Sequence, residues 1–197
     1  MEARDVARRF LSSVGRPAEA EQYLRLFQSE APERFALVFV SDDIVLGGHH
    51  ALREDLRFLQ QLSLTPVLCL RTTALRDELF QHGVDSARPC ELEEVRQVIR
   101  DKAVPALVAD RGEPRQRLVA TLEPQKVVVL RPRSGLQPNG ERVRSLINLA
   151  RDYDALQAPG VLPDDQQVVL REIRGLFDAT RHHFTVSVTS PLDLFRE

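Results

Sequence analysis

Two hydrophobic rhythms alternate along the chain. Short apolar runs at 35–40 (FALVFV), 65–70 (TPVLCL), 104–110 (VPALVAD) and 126–131 (KVVVLR) lack the in-and-out alternation of a half-exposed strand, and read as strands covered on both faces. The stretches between them carry helical spacing. HHALREDLRFLQQLS at 49–63 is one helix, TTALRDELFQHG at 72–83 is a second closed by Gly83, and ELEEVRQVIRDKA at 91–103 is a third with acids in its first turn and Lys102 near its end. RQRLVATLEP at 115–124 has the length of a short fourth. Strand, helix, strand in this order implies a parallel sheet joined by right-handed crossovers.

Later in the chain, Asn139-Gly140 inside PRSGLQPNGERVRSLIN is a turn signal, for a hairpin or a capped loop. LARDYDALQ at 149–157 is a short helix. DDQQVVLREIRGLFDATR at 164–181 is a longer one, with Asp164 and Asp165 at its positive end and Val169, Leu170, Ile173, Leu176 and Phe177 along one face. HFTVSVTS at 183–190 is a further strand, and SPLDLFRE starts another helix. Ahead of the first strand, DVARRFLSSV and PAEAEQYLRLF form two amphipathic helices, whose Phe10, Tyr23, Leu24 and Phe27 serve either as core anchors or as an oligomer contact. The expected organisation is a helical segment at 1–33 and one α/β domain at 34–197, a three-layer α/β/α sandwich with a mostly parallel sheet.

Composition narrows the function classes. The 197 residues suit one well-buried domain, and no window approaches the ~18 consecutive apolar residues of a membrane span. The N-terminus MEARDVARRF lacks the apolar core of a secretory signal, so the cytoplasm is the expected compartment. A net charge of −2 without a basic stripe argues against nucleic acid as a partner. Cys69 and Cys90 have neither disulfide nor metal-ligand spacing and read as reduced structural thiols. The adjacent pairs His49-His50 and His182-His183 point in divergent directions and lack the i, i+4 spacing of a metal site, so they read as surface histidines and no metal is expected. Of 27 basic residues only Lys102 and Lys126 are lysines, which limits any chemistry that needs an amine.

Several segments together resemble the amino-acid kinase family, in particular N-acetylglutamate kinase and the kinase-like domain of N-acetylglutamate synthases. EAEQYLRLFQSEAPERFALV is similar to the family's N-terminal helix and first strand, and LRFLQQLSLTPVLCL to the following helix and second strand. KVVVLRPRSGLQPNGERVRSLINLARDYDAL, VVLREIRGLFDA and FTVSVTSPLDLFRE follow the same pattern in order. The likeness spans residues 18–70 and 105–197. It implies a carbamate-kinase-like sandwich, shortened here between Arg76 and Glu123, and a place in arginine biosynthesis.

The family's chemistry resides in turns that this chain has altered. Where the resemblance expects Lys-x-Gly-Gly after the first strand, the chain has Phe39, Ser41 and Asp42, with Asp43 beside them. Where it expects His-Gly-x-Gly-Pro after the second, it has Arg71-Thr72-Thr73-Ala74-Leu75, and Val169 stands where this branch carries a second catalytic lysine. Phosphoryl transfer depends on positioning and positive charge. A carboxylate 4 Å from a phosphate opposes it by about 1 kcal/mol in water and about 4 kcal/mol near a protein surface. Asp42 and Asp43 are expected instead to cap the helix that follows.

The resemblance further places Arg133, Ser134, Gly135 and Leu136 against the nucleotide's base or ribose, as a vestige or as a plain turn. The expected function is a catalytically degenerate, non-enzymatic module for assembly or regulation, needing no cofactor. Its partners are further copies of the chain, an acetyltransferase domain or another arginine-pathway enzyme. Two alternatives stay open: an active acetylglutamate kinase using ATP and Mg²⁺, and a receiver-like switch with Asp42-Asp43 as the acidic pair and Asp110 as phospho-acceptor.

Overall fold

A computed structural model of the chain describes residues 32–61, 64–139, 142–144 and 147–191. The oligomer contact read at Phe10, Tyr23, Leu24 and Phe27, and the helix read to start after Pro191, lie outside those residues. Six strands form one sheet: β1 (Ala36–Val40), β2 (Val67–Leu70), β3 (Ala87–Pro89), β4 (Val104–Val108), β5 (Lys126–Leu130) and β6 (Thr185–Thr189). Their order across the sheet is β3-β4-β2-β1-β5-β6, and every pairing is parallel. The expected α/β architecture with a parallel sheet is therefore present.

Handedness decides which face each helix covers. From β1 the chain moves one way, to β2 through α1 (His49–Gln61) and to β3 through α2 (Thr73–Gln81). It then turns back, to β4 through α3 (Val95–Arg100), to β5 through α4 (Glu113–Leu122) and to β6 through α5 (Leu149–Gln157) and α6 (Asp164–Ala179). A right-handed crossover that moves left must use the opposite face from one that moves right. The two cores obey this. Val38, Val40, Leu68 and Leu70 pack with Leu52, Leu56 and Leu79 of α1 and α2. Leu37, Phe39, Val67 and Cys69 pack with Val98, Leu118, Val119, Leu170 and Ile173 of α3, α4 and α6. Alternate residues of β1 thus feed different layers, which is why its sequence is apolar throughout.

Boundaries follow local chemistry. Thr72 caps α2, its Oγ1 accepting from the Leu75 N–H at 3.3 Å, and Gly83 takes φ +74° just beyond the helix. The third helical segment opens as a 3-10 turn at Leu92–Glu94, boxed by Glu91 and Glu94, before becoming α3. Strand β3 was not visible in the sequence: three residues containing a proline have no periodicity to read, and Pro89 is tolerated because β3 is an edge. Between β1 and α1, Ile44–Gly48 winds as a π-helix, a rare geometry that recurs at functional turns.

Candidate functional site

Ligands of open parallel sheets bind beyond the carboxyl ends of the strands, where successive crossovers diverge. Here that point lies between β1 and β5, since β1 leads away toward β2 and β5 lies on its other side. The Ser41 N–H donates to Leu130 O at 3.1 Å, and the Arg131 N–H to Thr189 O at 2.8 Å, so the two turns emerge side by side. Phe39, Ser41, Asp42 and Val169 do meet at this mouth, together with Arg111, Arg115, Arg131 and Glu172. The space they enclose is about 20 Å³. That is room for about one water, against the ~300–1,000 Å³ of ordinary ligand sites.

Ion pairs fill the mouth. Asp42 does not cap the following helix as its sequence position suggested; its carboxylate takes a two-point hydrogen bond from Arg71, at the end of β2. That bond and the charge of Asp42 hold the Arg71 guanidinium's pKa above its usual value. Asp43 makes no side-chain cap either. Asp42 is drawn from the helix end because a guanidinium from the neighbouring strand end offers it a bidentate partner. Across the mouth Arg131 pairs with Asp165 of α6, whose carboxyl is held below its usual range mainly by that hydrogen bond.

Deeper lies a fully enclosed pair. Arg115 of α4 and Glu172 of α6 meet at 2.5 Å with side chains only 5% and 8% exposed, and Arg111 approaches the same carboxylate at 3.9 Å. The Arg115 guanidinium also donates to Ala109 O at 3.3 Å and lies 4.5 Å over the Phe39 ring. Phe39, at the position where the resemblance expects a lysine, is 1% exposed and serves as the platform for that cation. Cys69 lies under the same group, and burial pushes its thiol up to about 12, which leaves it an inert core residue. Cys90, also free and buried, is pushed up to about 11 by burial.

Neither lysine reaches this end of the sheet. Lys126 opens β5, and Lys102, with φ +61°, precedes β4, so both stand at the amino edge. A triphosphate with Mg²⁺ does not fit the mouth: the opening is filled, two side chains stand where a cradle needs glycine, and the nearest cations are engaged by carboxylates. Asp110 accepts from the Arg111 N–H at 2.8 Å, a local turn bond. Among the described residues no three His, Cys, Asp or Glu side chains gather as a metal cage.

The remaining predicted site residues border a second, much larger space. Ser134, Gly135 and Leu136 line a groove of about 700 Å³ beside edge strand β6, floored by Leu170, Ile173, Phe177, Phe184, Val186 and Val188. Arg133 is exposed and does not line it. Gly135 is a turn requirement: its φ is +72°, and a Cβ there would stand 2.2 Å from Val143 Cγ1. Its N–H donates to Val188 O at 2.7 Å, and Ser134 Oγ accepts from the Ser190 N–H at 2.9 Å, which fastens the turn to β6. Leu136 and Arg144 form one antiparallel bridge around the expected turn at 139–140.

The histidine reading needs correction. His49 is half-buried rather than on the surface, its ring stacked 4.0 Å from that of His82 with planes 8° apart. His182 is half-buried too, with Nε2 3.2 Å from Pro124 O. No helix among the described residues is long and apolar enough to cross a membrane.

Comparison with known proteins bears on the fold. No known family model matches the chain. Protein arg11, mitochondrial, of Schizosaccharomyces pombe is 40% identical over 65 residues, 33% of this chain and 7% of that protein. An acetylglutamate kinase of Xanthomonas campestris pv. campestris is 22% identical over 254 aligned positions, covering 91% of this chain and 60% of that enzyme. An alignment longer than this 197-residue chain means that the enzyme carries intervening residues absent here. The N-acetylglutamate synthase of Neisseria gonorrhoeae, solved in complex with coenzyme A and N-acetyl-glutamate, superposes with a TM-score of 0.61 at 11% identity, over 87% of this chain and 62% of that one. The chain therefore spans less than two thirds of each of these proteins. It is similar in sequence to an acetylglutamate kinase and to arg11, and it shares the α/β fold of an N-acetylglutamate synthase.

Proposed function

We propose that the chain is a catalytically degenerate acetylglutamate-kinase-like module, kept for assembly or regulation in arginine biosynthesis and working in the cytoplasm. The observation that carries this reading is the mouth of the sheet, closed to about 20 Å³ by the Arg71–Asp42, Arg131–Asp165 and Arg115–Glu172 pairs. Transfer of a phosphoryl group needs free cationic and backbone donors aimed at the phosphates, and these arginines face carboxylates of their own fold. The module then acts through its surfaces, as the front part of an N-acetylglutamate synthase or as a companion of one. Residues 1–33 supply the contact between copies.

Calorimetry of the whole chain with ATP-Mg²⁺ and N-acetylglutamate tests the reading directly. The expected result is no saturable heat from either ligand, and tight saturable binding of both overturns it. Removal of residues 1–33 is expected to lower the number of copies per particle seen by gel filtration, and an unchanged number of copies removes the assembly role from that segment.

A second reading, an acetylglutamate kinase, is favoured by one observation: the groove of about 700 Å³ that Ser134, Gly135 and Leu136 border has the size of a nucleoside site. Adenosine separates the two. Binding of adenosine with no gain from added phosphates leaves a module with a retained base pocket, whereas a large gain from the triphosphate favours the kinase.

A further inference from the structure

Beside the Leu52, Leu56 and Leu79 cluster, α1 and α2 also meet through imidazoles. His49 opens α1 directly after the π-helical turn Ile44–Gly48, and His82 ends α2. Their rings stack face to face at 4.0 Å, and His50 adds a third ring 4.3 Å from His49. The two stacked rings differ in their surroundings. His82 Nε2 is 3.0 Å from Glu78 Oε1 on the same helix, so a proton on that ring has a carboxylate partner. The His49 ring is half-buried: a backbone hydrogen bond at Val45 favours its proton, while burial and the neighbouring His82, His50 and Arg53 disfavour it.

One shared metal ion is excluded by the same geometry. A ligated ion lies near the plane of each imidazole at about 2.0–2.1 Å from nitrogen, and two nearly parallel planes stacked 4.0 Å apart have no common point of that kind. Neutral rings, by contrast, stack without penalty. Protonating both sets two unit charges about 4 Å apart, a repulsive contact even in water.

We propose that the His49–His82 stack is a pH-sensitive latch, holding the π-helical turn and the first turn of α1 against α2 at neutral pH and releasing them on acidification. The groups that decide it are His49, His50 and Arg53 on α1 and Glu78 and His82 on α2. Burial, then the neighbouring His82 and His50, lower the pKa of His49 from 6.5. The sign follows: the unfolded or opened ring takes a proton more readily than the stacked one. The latch's contribution is complete above pH 6.5 and is lost as the pH falls through the lowered value. The turn it holds follows directly on Asp42 and Asp43, so release reaches the end of the sheet where Asp42 engages Arg71.

The test uses the whole chain. Proton NMR of the five histidines is expected to show His49 titrating below the ordinary ~6.5. Amide exchange at 44–53, corrected for intrinsic rates, is expected to speed up about tenfold between pH 7.5 and 5.5, the scale of one repulsive contact at this distance. His82→Phe keeps a ring to stack and removes its charge, and is expected to abolish that acceleration. Should His82→Phe not fold, the wild-type titration decides alone. His49 titrating at the ordinary midpoint, or exchange at 44–53 that ignores pH, overturns the latch.

Discussion

Replacing Arg115 by alanine is expected to destabilise the protein by about 3–5 kcal/mol, the largest single effect of any change outside the apolar core. The substitution strands the Glu172 carboxylate, 8% exposed, in a site whose other close cation, Arg111, stands 3.9 Å away and is half in solvent. It also removes the cation from the Phe39 face and a donor from Ala109 O. Urea unfolding measures the loss. The double variant Arg115→Met, Glu172→Leu is expected to regain most of it, because two matched apolar side chains need neither desolvation nor a partner. A double variant as unstable as Arg115→Ala would mean that the pair stabilises by itself, and that the mouth gains its rigidity from the charges rather than merely tolerating them.

The second large effect has the opposite sign. Asp55 lies on the buried side of α1, only 9% exposed, with Oδ2 lacking any partner, and desolvation raises its carboxyl from 3.8 to about 7. A raised carboxyl contributes stability that is complete below 3.8 and lost as the pH rises toward 7, since the unfolded chain releases the proton first. Ionising it in place costs up to about 4 kcal/mol at pH 8. Asp55→Asn is therefore expected to stabilise the protein by about 2–4 kcal/mol at pH 8 and by little at pH 4, read as the difference in unfolding free energy at the two pH values. Equal effects at both would show that the carboxyl reaches solvent. Because this trend opposes that of His49 along the same helix, the Asp55→Asn background isolates the histidine effect.

Much of the fold was legible because the buried strands are unbroken apolar runs and helix ends carry their signals: Gly83 at a stop, and Asp164 and Asp165 at a start. Four residues of the site were legible too, as departures of Phe39, Ser41, Asp42 and Val169 from a resembling pattern, whereas Thr72, singled out with them, caps α2 instead. What filled the gap was not. Arg115 and Glu172 are 57 residues apart and meet only through packing of α4 on α6. A weaker signal was present. Arg115 stands in line with Leu118, Val119 and Leu122, Glu172 with Val169 and Leu176, and Asp55 with Leu52 and Leu56, each a charge set into the apolar stripe of its helix. Such a residue must find a partner or change its protonation, and these three do one or the other. The capping role expected of Asp42 failed for a related reason: Arg71 lies on another strand, and no local rule sees across a sheet.

The order of strands also sets a timetable for synthesis. β1 is central, and its neighbours arrive far apart: β2 follows within one helix, whereas Ala36 waits for Lys126 on the other flank. At about 5–20 residues per second, that flank stays bare on the order of ten seconds after β1 leaves the ribosome. During that interval the nascent chain presents one unpaired edge of the apolar strand Ala36–Val40, beside which β2 and the α1–α2 layer are the first described elements in place.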